Sequence, residues 1–174
     1  MVGHLREEKD PLRAAYAVRN LPTDSRLCVR HFGRAMDAQW RERAQEEMAR
    51  NARYRWYGEV PHWRVRQAYG RSRLMVISSR MEGGANVVSE AVVAGLPVVA
   101  SAIPGNEGLL GSDYPGYYRL ADTDDLRASL LRAERESAYY EGLTQACGRR
   151  QVLFTPAREL GAWVELLAEI GACG

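Results

Sequence analysis

The feature that most constrains this chain lies near its centre. Residues 74–77 are a continuous apolar run, 78–84 are polar and glycine-rich, 86–94 read as a helix stopped by Gly95, and 97–100 are apolar again. A short strand with no polar alternation is buried on both faces, the habit of parallel sheets. Strand, helix and strand in that order imply a crossover, so the segment predicts a βαβ unit.

The rest of the chain continues the alternation. Residues 1–2 read as the stub of a strand, and 27–32, 54–57 and 117–120 as further short strands. A helix is predicted from Asp10 to about residue 20, with Asp10 capping it and Pro11 at its first position. Others are predicted over 37–50 and 61–69, and from 122 onward the chain reads as helical: 122–134, 138–150 and 156–170. The fold class expected is therefore α/β, a doubly wound, Rossmann-like parallel sheet. Such sheets bind ligands beyond the carboxyl ends of their strands. That directs attention to the loops at 3–9, 58–61, 78–84 and 101–107.

Composition narrows the classes. The 174 residues, 46% of them hydrophobic, suffice for one compact domain but not two full-sized ones. The net charge of +2 comes from arginines spread among acids, which gives no nucleic-acid footprint. No apolar run is long enough to span a membrane. Cys28, Cys147 and Cys173 are far apart, odd in number and without metal-ligand spacing. With no targeting pattern at the N-terminus, a reduced, cytoplasmic protein is the expectation. Lys9 is the only lysine. A GC-rich genome explains the bias towards arginine, and the remaining ammonium is a good point charge for phosphate.

The candidate chemistry concentrates in Ser78-Ser79-Arg80-Met81-Glu82-Gly83-Gly84-Ala85-Asn86-Val87-Val88-Ser89-Glu90-Ala91, followed by Ala94-Gly95-Leu96-Pro97-Val98-Val99-Ala100-Ser101. Free amides at a helix start favour a phosphate, and Gly83 and Gly84 let a ligand approach the backbone. Glu82 precedes the turn and Glu90 lies in the helix. A carboxylate accepts hydrogen bonds from two neighbouring hydroxyls, as sugars and ribose present them. A lone glycine turn would be only a turn; two acids flanking a glycine-rich helix start, then Gly-Leu-Pro-Val-Val, is a far more specific pattern.

That pattern resembles the Glu-x7-Glu signature of retaining glycosyltransferases of the two-Rossmann-domain (GT-B) architecture, family 4 type. The resemblance implies that this chain is the C-terminal, nucleotide-sugar-binding half. It implies that Glu82 contacts hydroxyls of the donor sugar, that Glu90 contacts the ribose, and that the amides of Gly83, Gly84, Ala85 and Asn86 meet the diphosphate or sugar. Gly3-His4-Leu5-Arg6-Glu7-Glu8-Lys9-Asp10 resembles the family's Gly-Arg-Leu…Lys-Gly loop, whose cations neutralise the departing diphosphate. Lys9 falls on the lysine, His4 replaces the arginine and Asp10 the second glycine. Neutral His4 cannot do an arginine's work, so Arg6 is the substitute cation. Gly58-Glu59-Val60-Pro61 resembles the Gly-x-Val loop that lies against the base, which places Val60 there.

The likeness extends to the selenosugar synthases of selenoneine biosynthesis over Val2–Pro11, over Ser79-Arg80-Met81-Glu82-Gly83-Gly84-Ala85-Asn86-Val87 and over Gly105-Asn106-Glu107-Gly108-Leu109-Leu110-Gly111. It implies a UDP-sugar donor and selenophosphate as acceptor. His4 and Asp10, which depart from the wider family, fit this subgroup; nothing in the chemistry of these residues specifies selenium.

The assignment that follows is catalytic Lys9, Arg6 and Glu82, with His4, Glu82, Gly83, Gly84, Ala85, Asn86, Glu90 and Val60 binding the donor. No metal or cofactor is expected beyond the nucleotide sugar itself. The N-terminal acceptor domain of such enzymes is expected in cis or as a separate chain. The helix over 156–170 carries Leu160, Trp163, Val164 and Leu167 at helical spacing and is expected to pack on that domain. Donor binding with little or no transfer is then expected of this chain alone.

Other motifs are discounted. Asp122-Thr123-Asp124 spells the metal-binding Asp-x-Asp of a different glycosyltransferase fold but opens a helix, so capping is expected. His31 and His62 have no partner at ligand spacing, and His62 reads as a helix-start residue. Tyr114, Tyr117, Tyr118, Tyr139 and Tyr140 read as packing. Three rival functions stay open: a nucleotide-binding module acting through a partner chain, a fragment of a nucleotide-sugar epimerase, and an interaction domain that binds no nucleotide.

Overall fold

A computed structural model describes residues 1–83 and 86–172. Five strands are present, β1 (Val29–His31), β2 (Tyr54–Trp56), β3 (Met75–Ile77), β4 (Val98–Ser101) and β5 (Tyr117–Tyr118). Among the described residues, eight α-helices accompany them: α1 (Arg13–Arg19), α2 (Ala38–Arg50), α3 (His62–Gly70), α4 (Asn86–Val93), α5 (Pro104–Leu110), α6 (Thr123–Arg135), α7 (Ser137–Arg150) and α8 (Pro156–Ala172). Each strand is linked to the next through a helix, and every strand pairing is parallel. The α/β class with parallel, Rossmann-like topology is the one expected.

The sheet is interrupted where a single sheet was expected. β1 pairs with β2 and β3–β4–β5 form a second sheet. The stub at residues 1–2 forms only an isolated bridge, Val2 to Phe32. Three hydrogen bonds, Met1 N to Arg30 O (2.9 Å), Phe32 N to Met1 O (3.1 Å) and Gly3 N to Phe32 O (2.9 Å), hold it against β1 and the residue after it. A pairing this short does not bridge the two sheets, and a cavity of about 370 Å³, lined by Leu27, Val29, Leu74 and Val76, separates them.

Burial follows the apolar pattern. All three residues of β3 and all four of β4 are buried, as are Val88, Ala91 and Val92 of α4. α1 buries Ala14, Ala15, Ala17 and Val18 and packs on α6, whose Leu126 and Leu130 are also buried. Asp37 caps α2 by accepting from Trp40 N at 2.8 Å, and Asp122 caps α6 by accepting from the Asp124 and Asp125 amides. Asp122-Thr123-Asp124 is thus a helix start. The fully buried Glu47 takes hydrogen bonds from Arg19, Asn51 and Arg50. Burial raises its pKa, and those donors outweigh burial and hold it below the usual carboxylate range.

Two local expectations are corrected. Asp10 does not cap a helix: it closes a 3-10 turn, Glu7–Lys9, in the left-handed conformation (φ 42°), and α1 begins at Arg13 with Leu12 before it. Its carboxylate is instead drawn to Arg13 Nε at 2.8 Å. The loop at 101–107 in fact contains the start of α5.

The other predicted helices form. α8 packs on the 3-10 turn Gln151–Phe154 and leaves Leu160, Trp163, Val164, Leu167 and Ile170 each more than half exposed. Among the described residues, no helix is long and apolar enough to cross a membrane.

Candidate functional site

At the carboxyl ends of the strands, three loops meet around a cleft of about 460 Å³. Its floor is backbone. Gly33 follows β1 with φ +148°, and a Cβ there would sit 1.9 Å from the Gly3 carbonyl oxygen. Only glycine lets the two loops lie this close. Gly33 N donates to Gly58 O at 2.8 Å, joining the third loop to the same stack.

His31 fastens the floor from below. Its Nε2 lies 3.0 Å from Gly3 O and its Nδ1 3.0 Å from the Tyr54 hydroxyl. A carbonyl only accepts, so Nε2 carries the proton and Nδ1 accepts from Tyr54. Burial, aided by the N-terminal charge, pushes the His31 pKa down to about 3 against the pull of the Gly3 bond. The ring is therefore neutral near pH 7. No metal role is needed to explain His31; it positions Gly3.

One wall carries the charge. Lys9, at the end of the 3-10 turn, reaches across to Glu82 Oε1, 73 residues away in sequence. Ser79 Oγ donates to the same oxygen at 2.5 Å. Ser78 Oγ donates to the carbonyls of Lys9 and Asp10, at 2.9 and 2.8 Å, and Arg80 N donates to Glu8 O at 2.7 Å. The end of the Gly3–Asp10 loop, Glu8 to Asp10, is thus stitched to the turn after β3.

His4, Arg6, Lys9, Val60, Glu82 and Asn86 all line this cleft. His4 Nδ1 accepts from Arg34 N at 3.1 Å, so that nitrogen is occupied as an acceptor. Arg6 is half exposed, with Glu8 at 3.9 Å its closest acid, which leaves its guanidinium free to turn. Asn86 opens α4. Gly83 is exposed and is not part of the lining, and Gly84 and Ala85 lie outside the described residues.

Glu90 stands apart from the Lys9–Glu82 pair. It lies on α4 outside the cleft lining, and α3 holds it: Tyr69 Oη donates to Oε2 at 3.0 Å, and His62 Nε2 is 3.5 Å from Oε1. Burial and then the Glu90 carboxylate raise the pKa of the Tyr69 phenol. His62 does open α3, as expected, but it also faces Glu90, a contact that sequence spacing does not reveal. Phe32 and Gly33 also line the cleft and were not anticipated. The glycine directly after a predicted strand was the available signal. Among the described residues, no group of three or more His, Cys, Asp or Glu side chains is placed to hold a metal ion.

The family model described as "Glycosyl transferases group 1" matches residues 1–146, most of the chain and all of the cleft. The chain belongs to the group 1 glycosyl transferases. No curated protein sequence matches it.

Solved structures share the fold of this glycosyltransferase domain at low identity. An Anabaena protein, Alr3699/HepE, in complex with UDP and glucose, is 16% identical with a TM-score of 0.77, over 99% of this chain and 48% of that one. Sucrose-phosphate synthase from Thermosynechococcus elongatus is 21% identical with a TM-score of 0.77, over 99% and 46%. A glycosyltransferase from Rickettsia africae ESF-5 is 16% identical with a TM-score of 0.84, over 98% and 46%. The chain thus spans about half the length of these structures. Its fold is that of the Rossmann-like C-terminal half of a GT-B glycosyltransferase.

Proposed function

We propose that this domain binds a UDP-sugar and serves as the donor half of a two-domain, metal-independent glycosyltransferase of the retaining family 4 type. The observation that carries the reading is the meeting of Lys9 and Glu82 over a backbone-floored cleft beside the start of α4. Breaking a sugar–phosphate bond gathers negative charge on the leaving diphosphate. A fixed ammonium and a helix N-terminus stabilise that charge without a metal. In this reading the donor's diphosphate takes Lys9 from Glu82, and the freed carboxylate accepts hydrogen bonds from the sugar hydroxyls. Arg6 supplies the second cation, the backbone around Val60 receives the base, and Glu90, steadied by Tyr69, takes the ribose. The Anabaena protein, solved in complex with UDP and glucose and with UDP-glucose, supports UDP as the nucleotide.

The acceptor half belongs to the same proposal, in cis or as a separate chain, with the exposed apolar face of α8 packed on it. The sequence likeness to selenosugar synthases supports selenophosphate as the acceptor. That finer reading is tested by offering selenophosphate and a UDP-sugar to the two-half enzyme and analysing for a selenium-linked sugar.

Calorimetric titration with UDP, UDP-N-acetylglucosamine and GDP, each with and without EDTA, tests the donor site. Saturable binding of the UDP ligands, insensitive to EDTA, is expected. A folded chain that binds none of them would favour an interaction domain.

A further inference from the structure

Behind the Lys9–Glu82 pair runs a buried polar chain that no contact with a donor requires. Asn106, on α5, is fully buried, and its Nδ2 donates to Ser101 O at 2.9 Å and Ser101 Oγ at 3.2 Å. Ser101 Oγ donates to Ser79 O at 2.6 Å, and Ser79 Oγ donates to Glu82 Oε1 at 2.5 Å. Four residues on three segments thus lead from α5 to one carboxylate oxygen.

Backbone packing ends at the same residue. A Cβ on Gly105 would lie 2.1 Å from Glu82 O, 2.8 Å from its carbonyl carbon and 2.9 Å from its Cβ. Those are backbone atoms and the root of a side chain, so an added methyl could be accommodated only by moving Glu82. Gly108, one turn along the same helix, has nothing within 4 Å of its Cβ position. Among the described residues, Asn106 Oδ1 has no hydrogen-bond partner.

We propose that Gly105, Asn106 and Ser101 are positioning residues that set Glu82 against the donor sugar, Gly105 by yielding space to its backbone and the other two through Ser79. The inference rests on the donor-site reading above. It assigns α5 to the sugar rather than to the nucleotide, because Glu90 and Val60 lie on other elements. The readout is accordingly the ratio of UDP-glucose affinity to UDP affinity.

Gly105→Ala should lower that ratio about tenfold, the size of a lost hydrogen bond to a charged group, and leave UDP affinity within about twofold. Ser101→Ala should lower it in the same direction by about threefold. Gly108→Ala adds the same methyl to the same helix and should leave the ratio unchanged. A general loss of structure would weaken both ligands together. Equal ratios in Gly105→Ala, Ser101→Ala and the unaltered protein, with UDP still bound, would overturn the inference and leave the donor reading intact. An unaltered protein that binds neither ligand would sink the donor reading itself.

A ligand-free measurement separates the two further. Lys9 is the only lysine, so amine labelling read by mass spectrometry at the Lys9 peptide, apart from the Met1 amine, reports on its pairing with Glu82. Labelling should be faster in Gly105→Ala than in Gly108→Ala. Equal rates would contradict the proposed control of Glu82 by α5.

Discussion

The two carboxylates of the Glu-x7-Glu pattern sit in opposite settings. Glu82 has a side chain 8% exposed against a Lys9 only 19% exposed, and Ser79 fixes the same oxygen. Glu90 is 37% exposed and faces a His62 that is 66% exposed. The first is tied into segments from three parts of the sequence; the second is held by one helix neighbour, α3. The comparison teaches that the candidate site has a pre-organised end, inside the cleft, and an adaptable one, outside its lining. Pre-organisation is most effective where charge develops during reaction, because fixed groups need no reorganisation at that moment. In the proposed function, that end holds the sugar–phosphate bond and the looser end holds the nucleoside.

Substitutions can break or sharpen this contrast. The largest effect belongs to the fixed end. Lys9→Ala in the enzyme carrying both halves should lower turnover by about 10²–10³-fold, the loss typical of one charge-stabilising donor. UDP affinity should fall less than tenfold. Steady-state kinetics beside calorimetry checks the split, and unchanged turnover would remove Lys9 from the mechanism.

The floor beneath that end gives a prediction in pH. His31 takes its proton near pH 3 when folded, against an ordinary value of 6.5. Below 6.5 the unfolded chain binds a proton that the folded chain does not. Stability should therefore fall as pH drops from 6.5 towards 3, by about 1.4 kcal/mol per unit, with no contribution from His31 above 7. Urea unfolding across that range tests it, and His31→Gln should remove this part of the slope.

At the adaptable end smaller changes are expected. Glu90→Ala should weaken UDP about tenfold, and Tyr69→Phe, which removes only the steadying hydroxyl, about two- to threefold. If Tyr69→Phe matched Glu90→Ala, this end would be as pre-organised as the other and the contrast would fail. The smallest effect should come from α8. Replacing Trp163 and Leu167 by serine should shift the stability of the chain by no more than about 0.5 kcal/mol per site, since both side chains are more than half exposed. A larger loss would mean that α8 supports the cleft itself.

The sequence carried the strands and most helices because their signals are local. The apolar runs at β3 and β4, Asp37 and Asp122 as caps, and Gly95 as a stop all act within a few residues. α5 escaped because Gly105 and Gly108 lower helix propensity within its seven residues, although Pro104 at its first turn was a usable start signal. The left-handed Asp10 escaped because the turn that demands it is set by the stitching of Lys9 and Asp10 to Ser78, which is tertiary. In the cleft, sequence patterns supplied His4, Arg6, Lys9, Val60, Glu82 and Asn86, which do converge. The floor at Gly33, the His31 bolt and the His62–Glu90 contact join residues 23 to 30 positions apart, and no spacing rule connects them.

The central claim, that Lys9 passes from Glu82 to a donor diphosphate, is open to one direct measurement. Reductive ¹³C-methylation keeps the charge and places a single side-chain probe on the only lysine. Titration with UDP should move the Lys9 methyl resonance saturably, and the Glu90→Ala chain should need more UDP to reach the same end point. A resonance that stays in place while calorimetry reports bound UDP would contradict the claim.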